Sequence, residues 1–270
     1  MTIVSAFLVP GSPLPYLRPD NPPWSKLASG YRAAARALAA SRPDVILLYS
    51  TQWGAVMDQL WQTRPTLKGT HIDENWYEYG DLEFDLRIDT ELARACVSGS
   101  KNIGISSKGV DYSEFPIATG TCVANGFLNA QGRLPLVLGS NNYYHSYDET
   151  QRLGEMAVSC AHKLSRRVAV VAVGGLSGSI FRKEIDIRND GLTSLEDDHW
   201  NRKILSLLEH GDHTGLTKAI PNFASEAKAD MGFKHFAWLD GAMGGGFHSA
   251  RIHAYGATYG AGAAVVEFKI

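Results

Sequence analysis

At 270 residues, the chain is long enough to bury the core of one large α/β domain or of two unequal lobes. Its formal net charge of −2, with acidic and basic residues interspersed, excludes the basic surface that binding to nucleic acid or to an anionic membrane requires. The N-terminal sequence MTIVSAFLVPG has no basic segment, and its apolar run is too short to cross a bilayer. We therefore expect a cytoplasmic protein without a signal peptide or membrane helix.

Cysteine usage points to the same compartment. The three cysteines, Cys96, Cys122 and Cys160, are widely spaced and lie among small or apolar neighbours. Such residues are typical of reduced core positions in a cytosolic protein, and they favour neither a disulfide framework nor a metal site.

The first half of the chain alternates between strand and helix patterns. An apolar run predicts a strand over residues 3–9, and the following Asn21-Pro22-Pro23 sets up a helix from residue 24 or 25 to residue 40. Residues 50–80 are rich in aromatic and polar side chains and show only weak periodicity. The other predictions for this half are strands over 45–49, 81–88, 103–106 and 134–138, and helices over 90–97 and 119–128.

Two capping boxes open helices in the second half, Ser-Tyr-Asp-Glu at 146–149 and Thr-Ser-Leu-Glu at 193–196. The predicted elements there are helices over 146–164, 193–208 and 224–243 and strands over 251–255 and 264–268. The chain shows no internal repeat or linker. Residues 1–270 are therefore predicted to form a single α/β domain, in which helices cover a central mixed sheet.

The stretch over residues 166–180 reads RRVAVVAVGGLSGSI and is central to the interpretation. Its six consecutive apolar residues, from Val168 to Val173, predict a strand that is buried on both faces. A Gly-rich turn over residues 174–178 follows this strand, at the end where ligands usually bind in such sheets. The turn lacks the Lys-Ser/Thr of a phosphate loop and the last Gly of a nucleophile elbow, so neither function is favoured.

Several positions at predicted strand ends, taken together, resemble the class III extradiol ring-cleavage dioxygenases. Members of that family end their first strand in Pro-His-x-Pro, their second in Ser-x-His-Trp and a central strand in Gly-Gly-Leu-Ser-His. The matching stretches here are Pro10-Gly11-Ser12-Pro13, Ser50-Thr51-Gln52-Trp53 and Gly174-Gly175-Leu176-Ser177-Gly178. The family's Glu four residues before a Trp is matched by Lys234 before Trp238, and its Asp-His-Gly, more loosely, by Asp111-Tyr112-Ser113. The resemblance extends from Phe7 to about Met243.

The resemblance implies a fold whose iron site has been lost. In catalytic members, the first two His residues and the Glu bind Fe(II), and the His after the central strand assists proton transfer. The corresponding residues here are Gly11, Gln52 and Lys234 for the metal and Gly178 for proton transfer, with Tyr112 at the looser match. Glycine offers no ligand, an amide is a poor one, and an ammonium repels a cation. The chain is therefore expected to have no metal ligand and no catalytic residue of its own.

Within this family, the sequence is similar to the two-subunit enzymes that open the ring of 2-aminophenol with dioxygen. That similarity implies a non-catalytic α-subunit that stabilises and orients a homologous catalytic β-subunit carrying Fe(II), in an expected α2β2 heterotetramer. The aromatic-rich region 53–79 is interpreted either as the surface that contacts the partner or as a cap over the degenerate pocket. Its large aromatic residues are Trp53, Trp61, Trp76, Tyr77 and Tyr79.

Two other functions stay open on the sequence alone. One is a binding module, in which the emptied pocket takes a small molecule and regulates the partner. The other is an enzyme with new, metal-independent chemistry that uses Lys234, Tyr112 and Gln52. Saturable ligand binding by the isolated chain distinguishes the first from a purely structural subunit, and turnover without metal identifies the second.

Overall fold

The computed structural model describes residues 2–178 and 184–270, so residues 179 and 180 of the Gly-rich stretch lie outside the described residues. The strands are β1 (Ile3–Val9), β2 (Val45–Ala55), β3 (Gln59–Gln62), β4 (Thr66–His71), β5 (Leu82–Arg87), β6 (Ser107–Val110), β7 (Leu136–Asn142), β8 (Val168–Val173), β9 (Ser249–Thr258) and β10 (Ala261–Lys269). The α-helices are α1 (Leu14–Leu17), α2 (Pro22–Ser41), α3 (Thr90–Asn102), α4 (Thr119–Leu128), α5 (Tyr147–Lys163), α6 (Leu195–Glu209), α7 (His213–Glu226) and α8 (Lys234–Ala242).

Eight of these strands form one mixed sheet in the order β6-β3-β7-β2-β8-β1-β10-β9, and β4 and β5 form a separate antiparallel pair. At the centre, β8 runs parallel to both β1 and β2. All six residues of β8 are fully buried, which confirms the prediction of a central strand covered on both faces. Because β1, β2 and β8 are parallel, their carboxyl ends meet at one edge of the sheet.

Two groups of helices cover the sheet. In the first, α2 lies against β1, β9 and β10, and α4 lies against β2 and β8. In the second, α8 packs directly on β1, β2 and β8, α5 packs on α8, and α3 lies along β3, β6 and β7. The arrangement is the predicted single α/β domain with a mixed sheet between helices. Within the described ranges, no helix is both long and apolar enough to cross a membrane.

Local signals placed some helix starts correctly. Ser146 accepts a hydrogen bond from the Glu149 N–H, and the Glu149 carboxylate accepts one from the Ser146 N–H, so the first capping box is confirmed. The second box is wrong by one residue, because the side chain that caps α6 is Ser194. Thr193 does not cap the helix: its N–H donates to the carbonyl of Gly260, and its hydroxyl lies within hydrogen-bond distance of that carbonyl and of the Asp197 carboxylate.

The predicted helix over residues 224–243 is wrong. The structure has two helices here, α7 and α8, separated by a segment in which Met231 and Phe233 adopt left-handed φ angles of 46° and 65°. The break has a tertiary cause. Asp230, within this segment, accepts hydrogen bonds from β2 and from the turn after β8, and these contacts replace the next turn of helix.

The weakly periodic region 50–80 contains strands that the sequence did not predict. Here β2 continues to Ala55, and the short strands β3 and β4 follow it. The strand predicted over residues 103–106 is also wrong, because α3 extends to Asn102 and β6 begins only at Ser107. β3 and β6 have four residues each and pair in parallel. Strands this short depend mainly on pairing with their neighbours, so their own hydrophobic patterns do not predict them.

Candidate functional site

A cleft of about 290 Å³ opens at the edge of the sheet where β1, β2 and β8 end. Its wall is formed by the turn after β1, the last part of β2, the Gly-rich turn after β8 and the β9–β10 hairpin. Gly11, Gln52 and Gly178, which belong to the positions predicted from the family resemblance, all line this cleft. The parallel strands therefore bring together positions that are far apart in the sequence.

The Gln52 side chain fills the space that a side chain at position 11 would need. A Cβ atom at Gly11 would lie only 3.0 Å from Cδ and Oε1 of the Gln52 side chain. The same Oε1 atom accepts a hydrogen bond of 2.5 Å from the N–H of Gly120, in the first turn of α4. The amide oxygen of Gln52 is therefore already engaged by a helix N-terminus, and the void beside Gly11 is filled by the amide itself.

Gly178 lies against the backbone of the segment that follows α7. Its N–H donates to the carbonyl of Ala227 at 3.3 Å, and a Cβ atom at this position would lie 2.8 Å from the carbonyl oxygen of Lys228. A backbone carbonyl in this position cannot turn away as the end of a flexible side chain can. An imidazole at position 178 would therefore require the neighbouring segment to move.

The backbone N–H groups and the Ser177 hydroxyl of the Gly-rich turn are engaged in hydrogen bonds with neighbouring segments of the chain. Ser177 Oγ accepts hydrogen bonds from Asn201 Nδ2 at 2.9 Å and from the Gly262 N–H at 3.1 Å. The N–H groups of Gly174, Gly175, Leu176, Ser177 and Gly178 donate respectively to Val9, Asp230, Gly262, Asn201 and Ala227. A phosphate loop needs amides that face a ligand, so the turn fits neither a phosphate site nor a nucleophile elbow.

Lys234 and Tyr112 do not line the cleft. The Lys234 ammonium donates to the carbonyl oxygens of Asn142 at 3.1 Å and Tyr143 at 3.0 Å, so it ties the start of α8 to the end of β7. Burial lowers the pKa of this amine, and the charge of Glu149 opposes that shift. Tyr112 lies between β6 and α4 and is 71% exposed. The three residues needed for new metal-independent chemistry are therefore not gathered around the cleft.

Asp230 is a polar group of the cleft that the sequence did not indicate. Its Oδ2 atom accepts hydrogen bonds from the hydroxyl of Thr51 at 2.7 Å and from the N–H of Gly175 at 2.8 Å. The carboxylate joins β2, the Gly-rich turn and the segment before α8. In the sequence, Asp230 lies inside the helix predicted over residues 224–243, so no local signal marked it.

A second unpredicted polar group borders the cleft. Asp73 lines it and accepts a hydrogen bond of 2.6 Å from the hydroxyl of Thr119, whose oxygen lies 2.6 Å from Nε2 of His71. The available signal was the His-x-Asp pair within the weakly periodic region. Together with Asp230, this group gives the cleft a polar and partly anionic wall.

The residues at the three ligand positions do not fit Fe(II). Gly11 offers no donor atom, the Gln52 oxygen is bonded to a backbone N–H, and the Lys234 ammonium is bonded to two carbonyls. The facial site of the family requires two imidazoles and a carboxylate. Over residues 2–178 and 184–270, no three His, Cys, Asp or Glu side chains are grouped so that they could hold a metal.

The predicted aromatic surface is partly core. Trp61 has no exposed area and donates a hydrogen bond to Ser100, and Trp53 is also buried. Because β2 and β3 carry these two residues into the sheet, they offer little surface to a partner, and the interface prediction for them stays a prediction. Trp76 lines the cleft and packs on Tyr259, Tyr79 packs near it, and Tyr77 is 59% exposed. For the last three residues both interpretations stay open.

Fold and site together describe an α/β protein with a degenerate cleft at the carboxyl edge of its parallel strands. Residues 6–267 match the family model described as "Catalytic LigB subunit of aromatic ring-opening dioxygenase". The chain belongs to this family. Its family resemblance and its mixed-sheet fold are thus both confirmed.

Curated relatives and a solved structure agree with this assignment. Over the full length of both chains, the sequence is 49% identical to a protein named 2-aminophenol 1,6-dioxygenase alpha subunit from a Pseudomonas species. It is 26% identical to the beta subunit of the same name and source, over 99% of this chain and 94% of that one. An uncharacterized protein of Escherichia coli K12 shares the fold with a TM-score of 0.69 at 13% identity, over 98% of this chain and 99% of that one.

Proposed function

We propose that the chain is the non-catalytic α-subunit of a 2-aminophenol 1,6-dioxygenase. In the assembly, a homologous β-subunit carries Fe(II) and opens the ring of 2-aminophenol with dioxygen to an aminomuconate semialdehyde. The full-length identity of 49% to an alpha subunit of that name supports the proposal, as does the more distant similarity to a beta subunit. This chain stabilises and orients the β-subunit, and an α2β2 heterotetramer is the expected arrangement.

The observation that carries the proposal is the bonding of the three ligand positions. The Gln52 amide rests beside Gly11 and binds a helix N-terminus, while the Lys234 ammonium binds two main-chain carbonyls. Each of these residues has a structural partner in place of a metal. Hydrogen bonds within this chain therefore tie the edge of the sheet at two of these positions, which suits a subunit retained for its scaffold.

The test compares the chain purified alone with the chain co-expressed with its β-subunit. We expect the lone chain to be iron-free and inactive, and the complex to contain iron equimolar with the β-subunit and to cleave 2-aminophenol. Iron content by elemental analysis and oxygen uptake measure these outcomes. Stoichiometric iron in the lone chain would contradict the proposal.

Two variants of this chain sharpen the test within the complex. Gln52→Ala and Lys234→Met are expected to leave iron content and kcat within about twofold, because both side chains are bonded to backbone groups of this chain. Thermal melting of each variant controls for loss of folding. A tenfold loss of iron or activity from a folded variant would instead mean that this chain contributes to the metal site.

One observation favours a second candidate function, a small-molecule binding module. The cleft keeps a volume of about 290 Å³ and a wall with the Asp73 and Asp230 side chains, close to the smallest size of typical ligand sites. Calorimetric titration of the lone chain with 2-aminophenol tests this function. Saturable binding that is lost in Asp230→Asn supports it, and the absence of binding leaves the structural role.

A further inference from the structure

A second cleft opens between α5, α7 and α8, and it shares no lining residue with the degenerate cleft. Its volume is about 570 Å³, within the usual range for small-molecule sites. Leu216 and Ile220 of α7 and Phe236 of α8 line it, and all three are buried in the fold. The cleft therefore has an apolar floor that can hold the body of a small ligand.

The wall of this cleft carries a carboxylate with an unused acceptor atom. Asp240, on α8, lines the cleft, and its Oδ2 atom accepts a hydrogen bond of 2.8 Å from Gln151 Nε2 on α5. Its Oδ1 atom is buried and has no hydrogen-bond partner among the described residues. Burial raises the pKa of this carboxyl, and the charge of His213 and the hydrogen bond from Gln151 oppose that rise. A cation beside Asp240 would stabilise its ionised form.

Helix α7 contributes a second acceptor to the same wall. Pro221 lies inside this helix, so its nitrogen has no hydrogen to donate to the carbonyl of Thr217, four residues earlier. The Thr217 hydroxyl donates elsewhere, to the carbonyl of His213. Both Thr217 and Pro221 line the cleft. A carbonyl without its usual helical donor therefore lies in the part of α7 that borders the cleft.

The charged side chains around the cleft favour a cationic ligand. Two carboxylates, Asp148 and Asp240, line it, and no lysine or arginine of the described chain does. The imidazole of His213 is already engaged, since its Nε2 atom lies 2.9 Å from the carbonyl oxygen of Phe247 and donates to it. An anion in the cleft would lack a partner of opposite charge, whereas an ammonium group would meet carboxylate and carbonyl oxygens.

We propose that this cleft is a binding site for a small primary ammonium compound with an apolar, single-ring body. The ammonium group pairs with the Asp240 carboxylate, and the ring rests on Leu216, Ile220 and Phe236. The three N–H donors of an ammonium suit a wall that offers mainly acceptors. Binding here leaves the degenerate cleft free, because the two clefts have separate walls.

This site does not depend on the proposed subunit function, and its test uses the full-length chain. Benzylammonium chloride is the probe, titrated into the purified protein by isothermal titration calorimetry. Benzyl alcohol has a similar size without the charge, and benzoate carries the opposite charge. We expect saturable binding of benzylammonium, binding of benzyl alcohol that is weaker by at least about tenfold, and no binding of benzoate.

Two variants assign the binding to this cleft. Asp240→Asn keeps the size of the side chain but removes its charge, and it should weaken benzylammonium binding by at least about tenfold. Ala224→Phe places a ring into the cleft from α7 and should abolish binding. Glu155→Gln is the control, because it removes a charge from an exposed position of α5 that does not line the cleft, and it should bind as the unsubstituted chain does. Thermal melting checks that each variant is folded.

Three outcomes would overturn the proposal. The first is the absence of saturable benzylammonium binding to the unsubstituted chain, and the second is equal affinity for benzyl alcohol. The third is unchanged benzylammonium affinity in folded Asp240→Asn or Ala224→Phe, which would place the bound molecule elsewhere on the protein.

Discussion

His235 follows Lys234 on α8 and is fully buried. Neither of its ring nitrogens has a hydrogen-bond partner among the described residues, and a Cβ at Gly174 would collide with the ring. Its nearest aromatic neighbour is Phe233, whose ring meets it edge-on at 5.0 Å. Burial lowers the pKa of this imidazole to about 4, which the charge of Asp230 only partly opposes. The residue therefore stays neutral in the fold, at the cost of an unpaired polar group.

The first prediction follows from this pKa. Between pH 6.5 and about 4, the unfolded chain binds a proton at His235 that the folded chain does not, so the free energy of unfolding decreases as the pH falls through this window. Above pH 6.5 the imidazole is neutral in both states, and the full stability is present. His235→Phe should reduce the slope of unfolding free energy against pH in this window by roughly 1.4 kcal/mol per pH unit. Urea unfolding at several pH values measures the slope.

His199, exposed on α6, is the control for this experiment. His199→Gln should keep the slope of the unsubstituted chain. An unchanged slope in a folded His235→Phe variant would mean that the imidazole at position 235 is already protonated or already solvated in the fold.

At the level of elements, the crossing of α5 and α8 determines how the degenerate edge is supported. A Cβ at Gly154 on α5 would collide with the carbonyl oxygen of Trp238, and a Cβ at Gly241 on α8 would collide with that of Gln151. The two glycines therefore let the helices meet backbone to backbone. Since α8 carries both Lys234 and the aromatic stack of Trp238 on Tyr49, this crossing fixes the position of Lys234 at the end of β7.

The second prediction tests that crossing. In an exposed helix, Gly→Ala stabilises by about 1 kcal/mol, but here the added methyl meets a backbone that cannot move aside. Gly154→Ala should therefore lower the free energy of unfolding by about 1–3 kcal/mol in chemical denaturation.

Gly246→Ala is the comparison, because a Cβ there meets no atom of the described chain within 4 Å. It should leave stability within about 0.5 kcal/mol. A stabilising Gly154→Ala would show that α5 and α8 lie further apart than the structure places them.

At the scale of the whole molecule, the proposed role requires a surface for the β-subunit. With Trp53 and Trp61 in the core, the remaining aromatic candidates are Trp76, Tyr77 and Tyr79, of which Tyr77 is the most exposed. They lie next to the cleft, because Trp76 forms part of its wall. An interface here would cover the degenerate cleft as well, so the two interpretations of this region are compatible.

The third prediction concerns this surface. Tyr77→Ser should weaken the complex with the β-subunit by about tenfold in Kd, because exposed aromatic side chains at an interface contribute strongly to affinity. Leu195→Ser is the control, since Leu195 is an apolar side chain that is 90% exposed at the start of α6. Analytical ultracentrifugation of mixed subunits measures both. Equal, unchanged affinities would place the interface elsewhere on the molecule.

The sequence by itself determined the elements whose signals are local. The apolar run of β8, the reciprocal cap of Ser146 and Glu149, and the family stretches at strand ends all depend on residues within a few positions of each other. Hydrophobic period and capping chemistry act at that range, so they can be recognised without a fold.

Only the tertiary structure decided which distant residues meet. The break before α8 depends on Asp230 reaching β2 and the Gly-rich turn, and the bonding of Gln52 depends on the N-terminus of α4. Each contact joins segments that the order of strands in the sheet brings together, and a one-dimensional pattern does not contain that order.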